Sequence, residues 1–373
     1  MSRLFALTLA FVLLSSAALA AEKDTAPLGP PAATLEQVQA SPADEAIFTK
    51  FMSGQLRAVN HLSDVDPAAA EKKLNEYADT IAKLELTGKA KTAQERAKLS
   101  IKVYRDNLAI DKLTMADVEK ALLASPDDAE AYRHWTSKAM SELGSMAYSR
   151  PDEAETKLAA VKAFATKVSE AAKEDATKKK IEALSAARGT FERLESAIAK
   201  GREYAAFVGK DATPLVAKTW VNGTPLSDAD LKGKVVLLDF WAIWCGPCIV
   251  TFPHLREWNE KYADKGLVMV GVTSYYDYKW DDAAGYCARA TGGENVTPEQ
   301  ELAMLEKFAG YYHLKHRFAV NERDNRELAE YYGVSGIPHV VVIDQQGKVR
   351  MIRVGSGKQN ADDISKLLAE LLK

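Results

Sequence analysis

Cysteine is scarce: three occur in 373 residues, at Cys245, Cys248 and Cys287. A small exported domain stapled by disulfides carries more of them, in even number. That class is excluded, and the close pair reads as reactive, with one odd thiol left over. A structural zinc takes about four ligands. Only one further Cys exists and no His stands at ligand spacing from the pair, so no metal is expected, and no cofactor is called for. Charge of one sign is also lacking. The net charge of −3 gives no global field toward nucleic acid or an anionic membrane, and the run Lys178–Lys180 reads as a solvated helix face. Past the first twenty residues, no apolar stretch approaches the roughly 20 residues that span a bilayer.

Those first twenty residues are different. Arg3 gives a positive start, Leu4 to Leu14 are almost all apolar, and Ala18-Leu19-Ala20 is an A-x-A cleavage site. This is the layout of a secretory signal peptide cut after Ala20, which implies a periplasmic or otherwise extracytoplasmic protein. Residues 21–40, rich in Ala and Pro, read as a flexible leader.

Residues 41–204 read as an all-helical domain. Phe48, Phe51, Met52, Leu56, Val59 and Leu62 recur at helical spacing. Ser41-Pro42-x-Asp44 and Ser125-Pro126-x-Asp128 each suggest an N-cap serine followed by an N1 proline. Thr92-x-x-Glu95 suggests a capping box, and Asp66-Pro67 another start. A shift of 84 residues lays the first Ser-Pro-x-Asp on the second. It also lays Phe51 on Trp135, and Pro67-x-x-Ala70-Glu71-x-Lys73-Leu74 on Pro151-x-x-Ala154-Glu155-x-Lys157-Leu158. Two readings stand: two copies of a three-helix unit (41–124 and 125–204), or convergent Ala/Glu/Lys-rich helix composition.

From residue 205 to 373 strands alternate with helices, an α/β domain with helices covering a central sheet. Val235–Phe240 is the apolar run of a strand buried on both faces, and Leu267–Val272 is another. Asn222-Gly223 suggests a hairpin. Thr297-Pro298-x-Gln300 opens a helix, and Val340–Ile343, a Gln346-Gly347 turn and Val349–Val354 make a strand–turn–strand.

Trp244-Cys245-Gly246-Pro247-Cys248 follows the first of these strands and opens a helix. A Cys at a helix N-terminus meets unpaired N–H groups and the positive end of the dipole, both of which favour thiolate. As nucleophile it should be exposed. A second Cys one turn on can attack the resulting mixed disulfide and release the reduced product. Gly246 and Pro247 allow the tight approach and leave no N–H at Pro247 to satisfy.

The segment Lys234–Cys248 resembles the thioredoxin active-site segment almost residue for residue, and Gly333-Val-Ser-Gly336-Ile337-Pro338 resembles that superfamily's cis-proline loop. The lead-in Thr219–Lys234, and the long segment between Thr273 and the Thr297 helix, resemble the extracytoplasmic TlpA/ResA-type thiol–disulfide oxidoreductases. The resemblance covers about residues 205–373. It implies a thioredoxin fold with a central mixed sheet, Cys245 attacking, Cys248 resolving and buried, and Asp239 as the buried acid that takes the Cys248 proton. It also implies Pro338 in cis, the Ile337 backbone pairing with an extended substrate, and Trp244 as an exposed lip. It implies protein thiols and disulfides as substrates, and a membrane thiol-relay donor of electrons.

The sequence departs from many members of that branch at His339, where they have Thr or Glu. Either its charge tunes the redox potential, or it is a strand residue facing solvent. Cys287 is either a second working thiol or an unpaired Cys in a covering insert. The Gly-Pro dipeptide with a buried Asp is the combination of a reductase. The rival reading makes the helical region a binding scaffold for an unknown protein partner, with the redox domain accessory. A thiol peroxidase is disfavoured, because no Pro-x-x-x-Thr-x-x-Cys segment occurs.

Overall fold

The computed structural model describes residues 26–186, 189–292 and 294–373. The signal-peptide reading of residues 1–20 lies outside the described residues. The chain divides into two compact units, one up to Leu108 and one from Ala109 to Lys373.

In the first unit α1 (Leu35–Ala40), α2 (Glu45–Val65), α3 (Pro67–Ala82) and α4 (Gly88–Asp111, whose last residues lie past the unit boundary) follow one another. Their apolar stripes meet in one cluster that includes Phe48, Phe51, Val59, Leu74, Tyr77, Ile81 and Ile101. The stretch expected to be a flexible leader carries α1, started by a capping box between Thr34 and Gln37, and Val38 is buried. Ser41 does not cap α2. It ends α1, and a turn closed by the Asp44 N–H on the Ser41 carbonyl (3.0 Å) brings Asp44 to the N-cap. There the Asp44 carboxylate accepts from the N–H groups of Ala46 and Ile47, and its negative charge suits the positive end of the helix dipole. Thr92 and Glu95 are not a capping box either, since α4 has already begun at Gly88.

The second unit opens with α5 (Met115–Ala124), α6 (Ala129–Ala147), α7 (Pro151–Ala171), α8 (Asp175–Ser185) and α9 (Thr190–Ala205). Ser125 ends α5 and Asp128 caps α6, the same correction as at Ser41. Trp135 is fully buried against Phe164, with ring centroids 5.3 Å apart. α9 runs close to the end of α6: a Cβ on Gly201 would collide with the Ala147 carbonyl oxygen.

The chain then builds β1 (Thr219–Val221), α10 (Asp228–Leu231), β2 (Val235–Phe240), α11 (Gly246–Tyr262), β3 (Leu267–Ser274), β4 (Tyr278–Asp281), β5 (Tyr286–Arg289), α12 (Pro298–Tyr311), β6 (Arg317–Asn321), α13 (Glu327–Tyr331), β7 (His339–Ile343), β8 (Val349–Val354) and α14 (Lys358–Leu371). The main sheet has the order β1-β6-β3-β2-β7-β8. β2 runs parallel to β3, β3 parallel to β6, and the remaining pairs are antiparallel. All six residues of β2 are buried, as its unbroken apolar run requires. One face of the sheet packs on α11, α12 and α14 through Phe252, Leu255, Phe308, Ile364 and Leu368. The other face carries Val236, Leu238, Phe240, Val341, Leu328, Tyr332 and, from the end of α9, Tyr204.

Two local expectations change. Asn222-Gly223 is a left-handed turn (φ 63° and 145°), yet it joins no hairpin. β1 pairs with β6 instead, and the Asn222 amide donates to the carbonyls of Leu314 and His316 at 2.8 Å each. The long segment after Thr273 holds a true hairpin, β4–β5, turned by Asp281, whose carboxylate accepts from the N–H groups of Ala283 and Ala284.

Gly201→Ala tests the α6–α9 approach. The added methyl has to push carbonyl backbone, so the second unit should lose roughly 1–3 kcal/mol of stability. A lowered midpoint in thermal or urea unfolding is the expected outcome, and an unchanged midpoint would contradict the contact.

Candidate active site

β2 ends at Phe240, and the chain turns through Trp241–Trp244 into α11. Cys245 is the N-cap of α11, with the Cys248 N–H donating to its Sγ at 3.2 Å. The two cysteines form a disulfide across the first helical turn, with Cα atoms 5.3 Å apart. Cys248 is fully buried. Cys245, expected to be exposed, keeps only 4% of its surface in this oxidised state, as the one member of the pair that solvent reaches. Trp244 beside it is 55% exposed, and its ring stands edge-on to Tyr276 at 5.8 Å.

Asp239 sits in the middle of the sheet, opposite Gly271 of β3 and Val340 of β7. Side chains alternate along a strand, so Asp239 shares the face of Val235 and Leu237, the face that packs on α11 and holds the cysteine pair. It is buried, and neither carboxylate oxygen has a hydrogen-bond partner among the described residues. Loss of water opposes its charged form, and burial pushes its carboxyl up to about 7.

The bond between Ile337 and Pro338 is cis. β7 begins one residue later, with His339 opposite Phe240. Because β2 and β7 are antiparallel, the start of β7 and the end of β2 meet at one end of the sheet, so the proline loop and the disulfide loop share that end. The Pro338 carbonyl accepts from the Gly355 N–H at 2.9 Å, while Ile337 makes no hydrogen bond among the described residues and is free to pair elsewhere.

His339 follows neither expectation. It is fully buried, on the sheet face opposite the cysteines, between Phe240 (5.6 Å) and Tyr204 (5.3 Å). Burial, with Lys200 second, pushes its imidazole down to about 3, so it is neutral at ordinary pH and does not face solvent. Cys287 lies in β5 opposite Trp280, half-buried and outside any disulfide. Burial pushes its thiol up to about 11, which leaves little thiolate at neutral pH and favours the unreactive reading. Among the described residues no cluster of three or more His, Cys, Asp or Glu is placed to hold a metal ion.

One further residue escaped the sequence reading. Glu301, buried in the first turn of α12, accepts from the backbone N–H groups of Tyr276 (2.5 Å) and Asp277 (3.1 Å). It thereby fixes the platform on which Trp244 leans. Its only signal in the sequence is an acid in a first helical turn, which is common.

Residues 207–371 match the Redoxin family. The C-terminal half of the chain is a Redoxin domain with a thioredoxin-like fold. The chain is 27% identical over 164 residues to the thiol-disulfide oxidoreductase ResA of Bacillus thuringiensis subsp. konkukian, an alignment covering 44% of this chain and 78% of that protein. It is 31% identical over 147 residues to protein DipZ of Mycobacterium bovis, covering 39% of this chain and 18% of that one. Among solved structures, a thiol:disulfide interchange protein DsbE from Chlorobium tepidum is 27% identical with a TM-score of 0.33, covering 44% of this chain and 98% of that one. The Redoxin domain is of the thioredoxin-like thiol–disulfide oxidoreductase class, with Cys245 and Cys248 at disulfide distance. The Redoxin match does not reach the helices before residue 207.

The Asp239 carboxyl gives the site a pH signature. Its proton is held more tightly folded (about 7) than in the unfolded chain (3.8), so the folded state binds more protons between those values. Stability is therefore full below about pH 4 and falls as pH rises through 7, by on the order of 4 kcal/mol. Asp239→Asn keeps a neutral group there. The variant should gain on the parent steadily from pH 4 to 7 in denaturant unfolding and by a constant amount above that, and a pH-independent difference would refute the buried carboxyl.

Proposed function

We propose that the chain is an exported protein disulfide reductase that cycles between the Cys245/Cys248 dithiol and disulfide. The observation that carries this reading is a single one: a disulfide at the N-terminus of α11, with a buried, unpartnered Asp239 on the same face of the sheet. In the reduced chain the Cys245 thiolate, favoured by the helix N-terminus, attacks one sulfur of a substrate disulfide. The substrate S–S bond breaks, the other sulfur leaves and takes a proton from solvent, and a mixed disulfide joins Cys245 to the attacked sulfur. Cys248 then gives its proton to the Asp239 carboxylate and attacks the Cys245 Sγ. The second substrate sulfur leaves, and two electrons have passed from the chain to the substrate. The free Ile337 backbone pairs with the extended substrate strand, and Trp244 forms an apolar lip beside the reacting sulfur. A membrane-held dithiol relay restores the reduced pair. The signal-peptide layout of residues 1–20 supports that placement.

The helical region is read as a duplicated three-helix unit that selects a protein partner. Its support is the coincidence, at one offset, of Asp44 with Asp128 as caps, Pro67 with Pro151 as first helical residues, and the buried pairs Phe51/Trp135, Ala70/Ala154 and Leu74/Leu158. The second copy lies in the same compact unit as the Redoxin domain.

Cys248→Ser should accumulate a mixed disulfide through Cys245, and Cys245→Ser should not. Equilibration with glutathione should place the Cys245/Cys248 couple near about −270 mV, and a value above about −180 mV would mean an oxidase or isomerase instead. Asp239→Asn should slow resolution of the mixed disulfide by roughly 10²-fold at neutral pH, read in single-turnover release of the substrate thiol. An unchanged rate would remove Asp239 from the proton transfer.

A further inference from the structure

The helices before residue 207 lie outside the Redoxin match, yet one of their side chains reaches the proline loop. Tyr204 closes α9 and is buried. Its hydroxyl oxygen lies 2.9 Å from the Gly333 carbonyl oxygen and 3.1 Å from Ser335 Oγ. A phenol has one proton to give. The carbonyl can only accept, so Tyr204 donates to Gly333 and the Ser335 hydroxyl donates to Tyr204. This short chain of hydrogen bonds ties together the start of the segment that ends at the cis bond between Ile337 and Pro338. The same ring stands edge-on to His339, the residue after Pro338, at 5.3 Å and 84°. Tyr204 thus holds the loop on both sides of the proline, from the sheet face opposite the cysteines. It has little freedom of its own, because Gly201, one turn earlier, is pressed on the Ala147 carbonyl and its ring meets Tyr148 at 6.1 Å.

We infer that Tyr204 is a positioning residue for thiol exchange: it fixes loop 333–338 so that an extended protein substrate meets the Ile337 backbone already in place. The inference rests on the reading of Ile337 as the substrate-pairing residue. A loop released from Tyr204 has to be ordered at the moment of docking, which weakens association. The sulfur chemistry at Cys245 is untouched, so the loss falls on KM and spares kcat.

Tyr204→Phe in the full chain removes the hydroxyl and keeps the ring. With insulin as the disulfide substrate and excess dithiol as reductant, KM should rise roughly 3- to 10-fold, the worth of one or two buried hydrogen bonds. The kcat should stay within about twofold, as should the rate with a small aryl disulfide that needs no strand pairing, and the potential against glutathione should not move. Ser335→Ala, which disturbs no apolar contact, should raise KM in the same direction by less. Docking is read separately: in a Cys248→Ser chain joined to a single-cysteine peptide, the Ile337 amide should exchange with solvent more slowly than in the free chain. If Ile337 gains no protection, the docking reading fails and this inference fails with it. If Ile337 is protected but both variants leave KM unchanged, or lower kcat and the small-disulfide rate as much as they raise KM, Tyr204 does not position the loop and the docking reading stands.

Discussion

The antiparallel register of β2 on β7 sets Phe240 opposite His339, and the rest of the site hangs from that pairing. β2 runs into the disulfide loop and β7 starts from the cis proline, so one hydrogen-bonded pair of strands brings both loops to the same end of the sheet. The register also decides faces. A shift of one residue would turn every side chain of β2 over, sending Asp239 to the side of Tyr204 and Phe240 to the side of the cysteines. Six consecutive buried positions in β2, paired on both edges, make such a shift costly. The placing of Asp239 on the cysteine face is therefore a property of the whole sheet.

What could be read from the sequence was what depends on near neighbours. Cys245 at a helix start, Asp239 inside an apolar run, Thr297 with Gln300 as a capping box and the β7–β8 turn all have causes within a few residues of themselves. Where local rules compete, the local pattern does not decide the outcome. Ser41 and Asp44 can both cap a helix, and the turn between them, closed by a backbone hydrogen bond, gives the place to Asp44. Asn222-Gly223 supplies the left-handed turn that a hairpin needs, but no strand follows it, and the Asn222 amide is taken by backbone 92 and 94 residues away. His339 was out of reach for the same reason. Nothing near it in sequence says that Tyr204, 135 residues earlier by number, covers it and removes it from water.

That cover changes what the helices are for. A sheet with two apolar faces must have both covered. One face here is covered by α11, α12 and α14 of the Redoxin domain itself. The other takes α13 with its neighbouring Tyr332, and then the end of α9 through Tyr204. The last helix before the domain therefore completes its core, which accounts for the two falling in one compact unit. A boundary placed by composition at residue 205 cuts between Tyr204 and the loop it binds.

The two faces also divide the electrostatics. His339, driven down to about 3 by burial and then by Lys200, is itself neutral at ordinary pH, so it adds no charge behind the site. On the front, the Asp239 carboxyl is pushed up to about 7 because nothing there solvates or pairs its charge. In the proposed cycle a carboxylate on that face and a Cys245 thiolate would repel each other across a medium of low dielectric, which favours one negative charge at a time. When Cys245 is a thiolate, Asp239 is best protonated. In the proposed mixed disulfide that charge is gone, and Asp239 would be free to ionise and take the Cys248 proton. An acid whose affinity for the proton lies near neutral pH can serve in both states. An ordinary carboxylate at about 4 would hold its charge throughout and oppose the attacking thiolate. On that proposal, burying Asp239 in the sheet is what lets the proton move in step with the disulfide.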